Sequence, residues 1–262
     1  MSRCPYSQQF LDTMTGILGK MGDTIDFSVN YIADWKGGEF TSLHGIKEVE
    51  EDIRQLCAIK HYPTDYKYMD YIRCRGKSMN SPWEKCSDEQ RFNSDIIREC
   101  SEGEEGANLL RQSIKASNEA QAAVSPTIVI NGGRYNFGRT EKDVMKALCM
   151  RLSFTHPACE NVPVPVVFEI IVLSDRRCAG CDTSAIEDKL QGIFQGAQIR
   201  KVDYSTKEGK GIYVDSGLRL LPAVLLEKNA LEDDGYQMVR GYSTEQGEYL
   251  SLNVGAKYDP TA

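Results

Sequence analysis

Apolar residues at Phe10, Met14, Ile17, Leu18 and Met21 recur at helical spacing and predict a helix over residues 5–20. The period then changes: FSVNYIA, residues 27–33, alternates apolar and polar positions as a half-buried strand does. From 46 to 123 helical spacing dominates, first on the face of Val49, Ile53, Leu56 and Cys57, then over 66–73, 95–100 and 107–122. TIVIN at 127–131, a Gly132-Gly133 turn and residues 134–138 predict a hairpin, and Thr140 opens a helix with Asp143 placed for a capping bond. A run of turn formers, SFTHPACENVPVP at 153–165, predicts a linker. Beyond it VVFEIIVL (166–173) reads as a strand, 181–194 as a helix and 198–204 as a strand. A short irregular stretch precedes two further strands at 223–227 and 237–241.

Each side of the linker is therefore α/β, which predicts a domain at 1–152 with a helical insertion at about 45–123, and a smaller one at 166–262. A chain of 262 residues can bury a core without covalent staples, so stability alone does not account for nine cysteines. A net charge of -7 leaves no electrostatic footprint for nucleic acid or anionic lipid. The longest apolar run, around 162–173, is interrupted by Pro163, Pro165 and Glu169, and no membrane span is expected.

The chemistry concentrates on cysteines at two places. Cys4 precedes Pro5, so the thiol occupies a helix N-cap with proline at the first helical position and Arg3 adjacent. Unpaired N–H groups at such an end favour thiolate, the reactive form of cysteine. Cys178-Ala179-Gly180-Cys181 repeats the arrangement after a strand, with Arg176 and Arg177 upstream. Two cysteines three apart at a helix start share a face and can cycle between dithiol and disulfide. Asp182 opposes a thiolate at Cys181, which leaves Cys178 as the attacking sulfur. Zinc would need a second ligand pair, and none stands near Cys178. Delivery of a soft ion such as Cu(I) through the same dithiol is a weaker alternative. No metal or organic cofactor is expected.

A strand, a cysteine at a helix start and a later strand preceded by proline resemble the thioredoxin fold, in which a cis-proline loop lies beside the active cysteines. Pro222 in LRLLPAVLLE and Pro126 in VSPTIVING take that place, which implies that they and the preceding Leu221 and Ser125 hold substrate backbone. SLHGIKEVEEDIRQLC, residues 42–57, resembles the signature of the gamma-interferon-inducible lysosomal thiol reductase (GILT) family, Cys-Gln-His-Gly-x-x-Glu-Cys-x-x-Asn-x-x-x-x-Cys. His44, Gly45, Glu48 and Cys57 match, and Cys74, Cys86, Cys100, Gly103 and Gly106 continue the family pattern. The resemblance covers 1 to about 152 and implies a GILT-like (DsbA-like) thioredoxin-fold domain. Ser42 and Val49 replace two signature cysteines, Asp52 replaces the asparagine, and Ser7 replaces the second active-site cysteine. Without a resolving thiol, Cys4 forms a mixed disulfide but does not by itself expel the substrate. His44 reads as a turn residue whose imidazole is satisfied locally.

Only Met1-Ser2-Arg3 precede Cys4, where a thioredoxin fold places a central strand. The expectation is that Met1 is internal to a longer protein, with a strand and an export signal upstream. Cys57, Cys74, Cys86, Cys100, Cys149 and Cys159 remain for structural disulfides, in more connectivities than a sequence can choose among. Their density predicts an oxidising compartment: periplasm, extracellular space or an endomembrane lumen. The whole predicts two tandem thioredoxin-like domains acting as a thiol–disulfide oxidoreductase on disulfide-containing proteins or a redox partner protein, through Cys4 with Ser7 and through Cys178 with Cys181. The competing reading is a non-catalytic secreted binding module in which Cys178 and Cys181 form a structural clip.

Overall fold

The computed structural model describes all 262 residues. They divide into two compact units: Met1–Tyr135 with Arg139–Met145 and Phe154–Glu160, and Asn136–Gly138 with Lys146–Ser153 and Asn161–Ala262. No helix is long and apolar enough to cross a membrane.

In the first unit α1 (Pro5–Met21) buries Phe10, Met14, Ile17, Leu18 and Met21, the stripe its spacing predicted. A two-residue turn at Gly37 and Gly38, both at positive φ, joins β1 (Asp34–Lys36) to β2 (Glu39–Thr41). The insertion then folds as α2 (Ile46–His61), α3 (Tyr68–Lys77), α4 (Trp83–Glu89), α5 (Ser94–Glu102) and α6 (Glu104–Glu119). Cys57–Cys100 ties α2 to α5, and Cys74–Cys86 ties α3 to α4. Cys149 and Cys159 are also disulfide-bonded. The predicted hairpin is shorter than expected, β3 (Val129–Ile130) with β4 (Gly133–Arg134), and α7 (Glu141–Cys149) follows.

Residues 27–33 correct the strand prediction. Tyr31 is buried among Val49, Leu56, Leu110 and Ile114, but the segment pairs with no strand. The Tyr31 N–H donates to Ser113 Oγ at 2.6 Å, its carbonyl accepts from Ser117 Oγ at 3.1 Å, and its hydroxyl donates to Gln55 Oε1 at 2.5 Å. Alternation defines which side chains turn inward, but a strand also needs a ladder partner. Here two serines one turn apart on α6 satisfy the main chain instead.

The second unit is built on β5 (Phe168–Ser174), followed by α8 (Ser184–Ile193), β6 (Ala197–Asp203), α9 (Lys207–Asp215), β7 (Ala223–Glu227), α10 (Tyr236–Val239), β8 (Ser243–Gln246) and β9 (Tyr249–Leu252). The five-stranded sheet runs β6-β5-β7-β9-β8. β5 is parallel to β6 and antiparallel to β7. Phe168, Ile170 and Val172 face the cluster of Leu190 and Phe194, while Ile171 and Leu173 face that of Tyr213 and Leu225. Both faces of β5 are covered, which is why its sequence is a nearly continuous apolar run.

Three expectations fail in this unit. Residues 237–241 lie in α10 and a following turn of 3-10 helix rather than a strand, and the edge hairpin falls later, at β8 and β9. The stretch expected to be irregular contains α9. Its glycines weaken the helical signal, but Thr206 Oγ1 caps the Gly209 N–H at 2.9 Å, and a Cβ at Gly209 would stand 2.2 Å from the Asp203 carbonyl, so only glycine fits there. Finally, α8 starts at Ser184 rather than at Cys181. Asp182 Oδ1 accepts the Ser184 N–H at 2.9 Å in an Asx turn, which leaves the two cysteines in the preceding turn and not at a helix start.

Candidate functional site

Cys4 is the N-cap of α1, with Pro5 at the first helical position. It is the one free cysteine and is 8 % exposed. Its Sγ donates to the Ser125 carbonyl at 3.5 Å, and buried Ser7 hydrogen-bonds the Ser125 hydroxyl. The Ser125–Pro126 peptide is cis. Residues distant in sequence thus meet: Cys4 and Ser7 from the start of α1, Ser125 and Pro126 from the loop before β3. Burial pushes the thiol up, but the Ser7 N–H and hydroxyl, the Tyr6 N–H and the Ser125 hydroxyl outweigh it, and the net shift is below the ordinary cysteine value.

Ser2 and Arg3, just before Cys4, are held by buried carboxylates on α2. The Ser2 N–H donates to Asp52 Oδ1 at 2.8 Å and the Arg3 N–H to Glu48 Oε1 at 2.9 Å. Glu48 also accepts from Ser42 Oγ and from the His44 N–H at 3.3 Å, and stands 2.9 Å from His44 Nδ1. His44 is thus a turn residue with a local partner. Burial pushes the Glu48 carboxyl up, yet the hydrogen bonds it accepts carry it below its usual range. Asp52 accepts from Ser2, but there burial outweighs the bonds it receives. Desolvation raises it to about 7, with the neighbouring Glu48 charge in the same sense, and its Oδ2 is buried without a partner. The signature points to Glu48, but only the structure shows that it and Asp52 anchor the segment bearing Cys4.

In the second unit Cys178 and Cys181 form a disulfide, with Cys181 buried and Cys178 half-buried, so Cys178 is the outward sulfur. They line a cleft of about 500 Å³ together with Asp175, Asp182, Lys201 and Asp203. The upstream cations are already paired: Arg177 binds buried Asp175 at 2.7 Å, and Arg176 lies 3.6 Å from Asp203. The Asp175 carboxyl falls below its usual range through that Arg177 bond. Cys178 therefore has neither a helix end nor a free cation to favour thiolate, whereas Cys4 has the helix end. Leu221, fully buried and joined to Pro222 by a cis peptide, pairs its main chain with Tyr258. The one grouping of potential metal ligands, His61, Cys100 and Glu105, lies elsewhere, and the Cys100 sulfur is engaged in its disulfide with Cys57.

The mixed α/β fold is thioredoxin-like, and the first unit sets a free thiol at a helix N-terminus with a cis-proline loop beside its sulfur. Residues 1–90 match the family model of gamma interferon inducible lysosomal thiol reductase (GILT), so this N-terminal segment is GILT-like. The matched segment contains Cys4, Ser7, His44, Glu48 and Asp52, along with Cys57, Cys74 and Cys86. No curated protein matches the chain.

Proposed function

We propose that the chain is a thiol–disulfide oxidoreductase acting on protein disulfides, built from two tandem thioredoxin-like domains. The observation that carries this reading is Cys4: a free thiol at a helix N-cap, shifted toward thiolate, with the Ser125 carbonyl beside its sulfur. The Cys4 thiolate attacks one sulfur of a substrate disulfide, forms a mixed disulfide with it and expels the other sulfur as a thiolate, which takes up a proton. Ser7 cannot complete a second exchange, so an external thiol attacks the mixed disulfide and returns Cys4 to its reduced form. Ser125 and Pro126 hold the substrate backbone next to Cys4. At the second site a donor dithiol reduces Cys178–Cys181, after which Cys178 attacks a substrate and Cys181 resolves the adduct. The disulfide density of the insertion supports an oxidising compartment: periplasm, extracellular space or an endomembrane lumen.

The paired state of Arg176 and Arg177 favours a second reading, in which Cys178–Cys181 is a structural clip. Differential alkylation with peptide mapping across glutathione buffers separates the two. Exchange chemistry predicts that Cys178 and Cys181 titrate together between about -120 and -270 mV while Cys4 becomes glutathionylated. A pair that stays oxidised below about -300 mV, with Cys4 unreactive, replaces the enzyme by a binding module.

A further inference from the structure

We infer that residues 257–260 of this chain act as an internal competitor at Leu221, covering at rest the docking strand that an extended polypeptide segment bearing an aromatic side chain would use. The inference rests on the exchange reading of Cys178–Cys181.

The Leu221 N–H donates to the Tyr258 carbonyl at 2.8 Å, and the N–H groups of Tyr258 and Lys257 both donate to the Leu221 carbonyl at 3.2 Å. This is an isolated antiparallel bridge beyond the β7–β9 ladder, made by the chain that leads on from β9, and its hydrogen bonds are those a docked strand would make. The register Leu173↔Ala223 places Leu221 beside the end of β5, from which the chain turns into Cys178. Arg177, the residue before Cys178, donates from Nη2 to the Pro260 carbonyl at 2.8 Å while Asp175 fixes its guanidinium. Tyr258 itself packs on the cluster of Leu173, Val202, Tyr213 and Leu221. The segment thus has main-chain pairing, an aromatic subsite and an anchor next to the redox cysteine, which are the contacts an incoming substrate strand would make. Leu221 is fully buried, so its N–H and C=O require a partner, and a substrate can pair with them only by displacing Tyr258. At Cys4 the corresponding carbonyl, Ser125 O, faces the thiol rather than another strand.

The test compares the full chain with one ending at Gly255, both with Cys178–Cys181 oxidised, against dithiothreitol and against a short peptide carrying a cysteine and a tyrosine. The peptide thiolate attacks Cys178, forming a mixed disulfide and releasing Cys181 as a thiolate that takes up a proton; alkylation and mass mapping read the product. A tethered competitor acts as though present at millimolar concentration, so removing it should speed the peptide reaction about ten-fold or more. The dithiothreitol rate should hardly change, a serine-for-tyrosine peptide should gain less, and the free peptide AKYDPTA should slow the truncated chain again. Tyr258→Ala in the full chain, which empties the aromatic subsite and keeps the main chain, should shift the peptide rate in the same direction and serves if truncation unfolds the unit. Equal peptide rates in full, truncated and Tyr258→Ala chains overturn the docking strand and leave the exchange reading standing. An equal acceleration with dithiothreitol also overturns it, because that outcome reports loosening of the fold. If dithiothreitol reduces every chain and the peptide reacts with none, the exchange reading fails and the docking strand with it.

Discussion

At Cys4 two influences oppose each other: burial disfavours the thiolate, and N–H and hydroxyl donors from the start of α1 and from the loop before β3 favour it more. Ser125 contributes one of those donors, so Ser125→Ala should raise the Cys4 pKa, seen as a later rise of ultraviolet thiolate absorbance with pH. Ser7→Cys should supply the missing resolving thiol. It is expected to shorten the lifetime of a mixed disulfide on Cys4 by roughly ten-fold or more, because attack within a formed adduct replaces a bimolecular step; an unchanged lifetime on rapid alkylation would show that Ser7 is too constrained by Ser125 to serve. Asp52 carries the opposite lesson. Its folded pKa of about 7 lies above its unfolded value near 3.8, so the native state binds the extra proton and stability falls as pH rises from about 4 to 7. Asp52→Asn should match the parent at pH near 4 and exceed it by roughly 2–4 kcal/mol at pH near 8, as thermal melts at the two pH values would show.

Among elements, the insertion depends on close contact between helices. A Cβ at Gly106 would stand 2.6 Å from both the Cys100 carbonyl and Ile53 Cγ2, so the first turn of α6 carries glycine where it meets α5 and α2. Gly106→Ala should cost about 1–3 kcal/mol on chemical unfolding by forcing those helices apart. The disulfides act on the unfolded chain. Cys57–Cys100 spans 43 residues and Cys74–Cys86 spans 12, so removing each pair by serine substitution should cost roughly 4 and 3 kcal/mol respectively, with the longer loop costing more. Helical periodicity across 46–123 showed that this region was helical and which faces turned inward. It separated the segments that form α2, α3, α5 and α6 but missed α4 (Trp83–Glu89), and it could not show which cysteines pair, because that follows from how the helices cross.

For the whole molecule, the core of the second unit is assembled from residues 166–258, on both faces of its own sheet. A chain of residues 161–262 is therefore expected to fold alone with a single cooperative melt; a broad, non-cooperative transition would show that it depends on residues 136–153. The sequence by itself determined the buried stripe of α1, the capped position of Cys4, the doubly buried run of β5, the strand after Pro222 and the resemblance around His44 and Glu48. These rest on local period, capping chemistry and order of residues, all of which are written within a few turns of chain. Tertiary structure decided the rest. Residues 27–33 alternate like a strand yet pair with serines of α6, and α9 forms despite its glycines because Ile212 and Tyr213 pack on the sheet. The approach of Ser125 to Cys4 and of Tyr258 to Leu221 belongs here as well. In each case a main-chain group or an apolar side chain had to find its partner from a distant part of the chain, and hydropathy patterning carries no record of which partner that is.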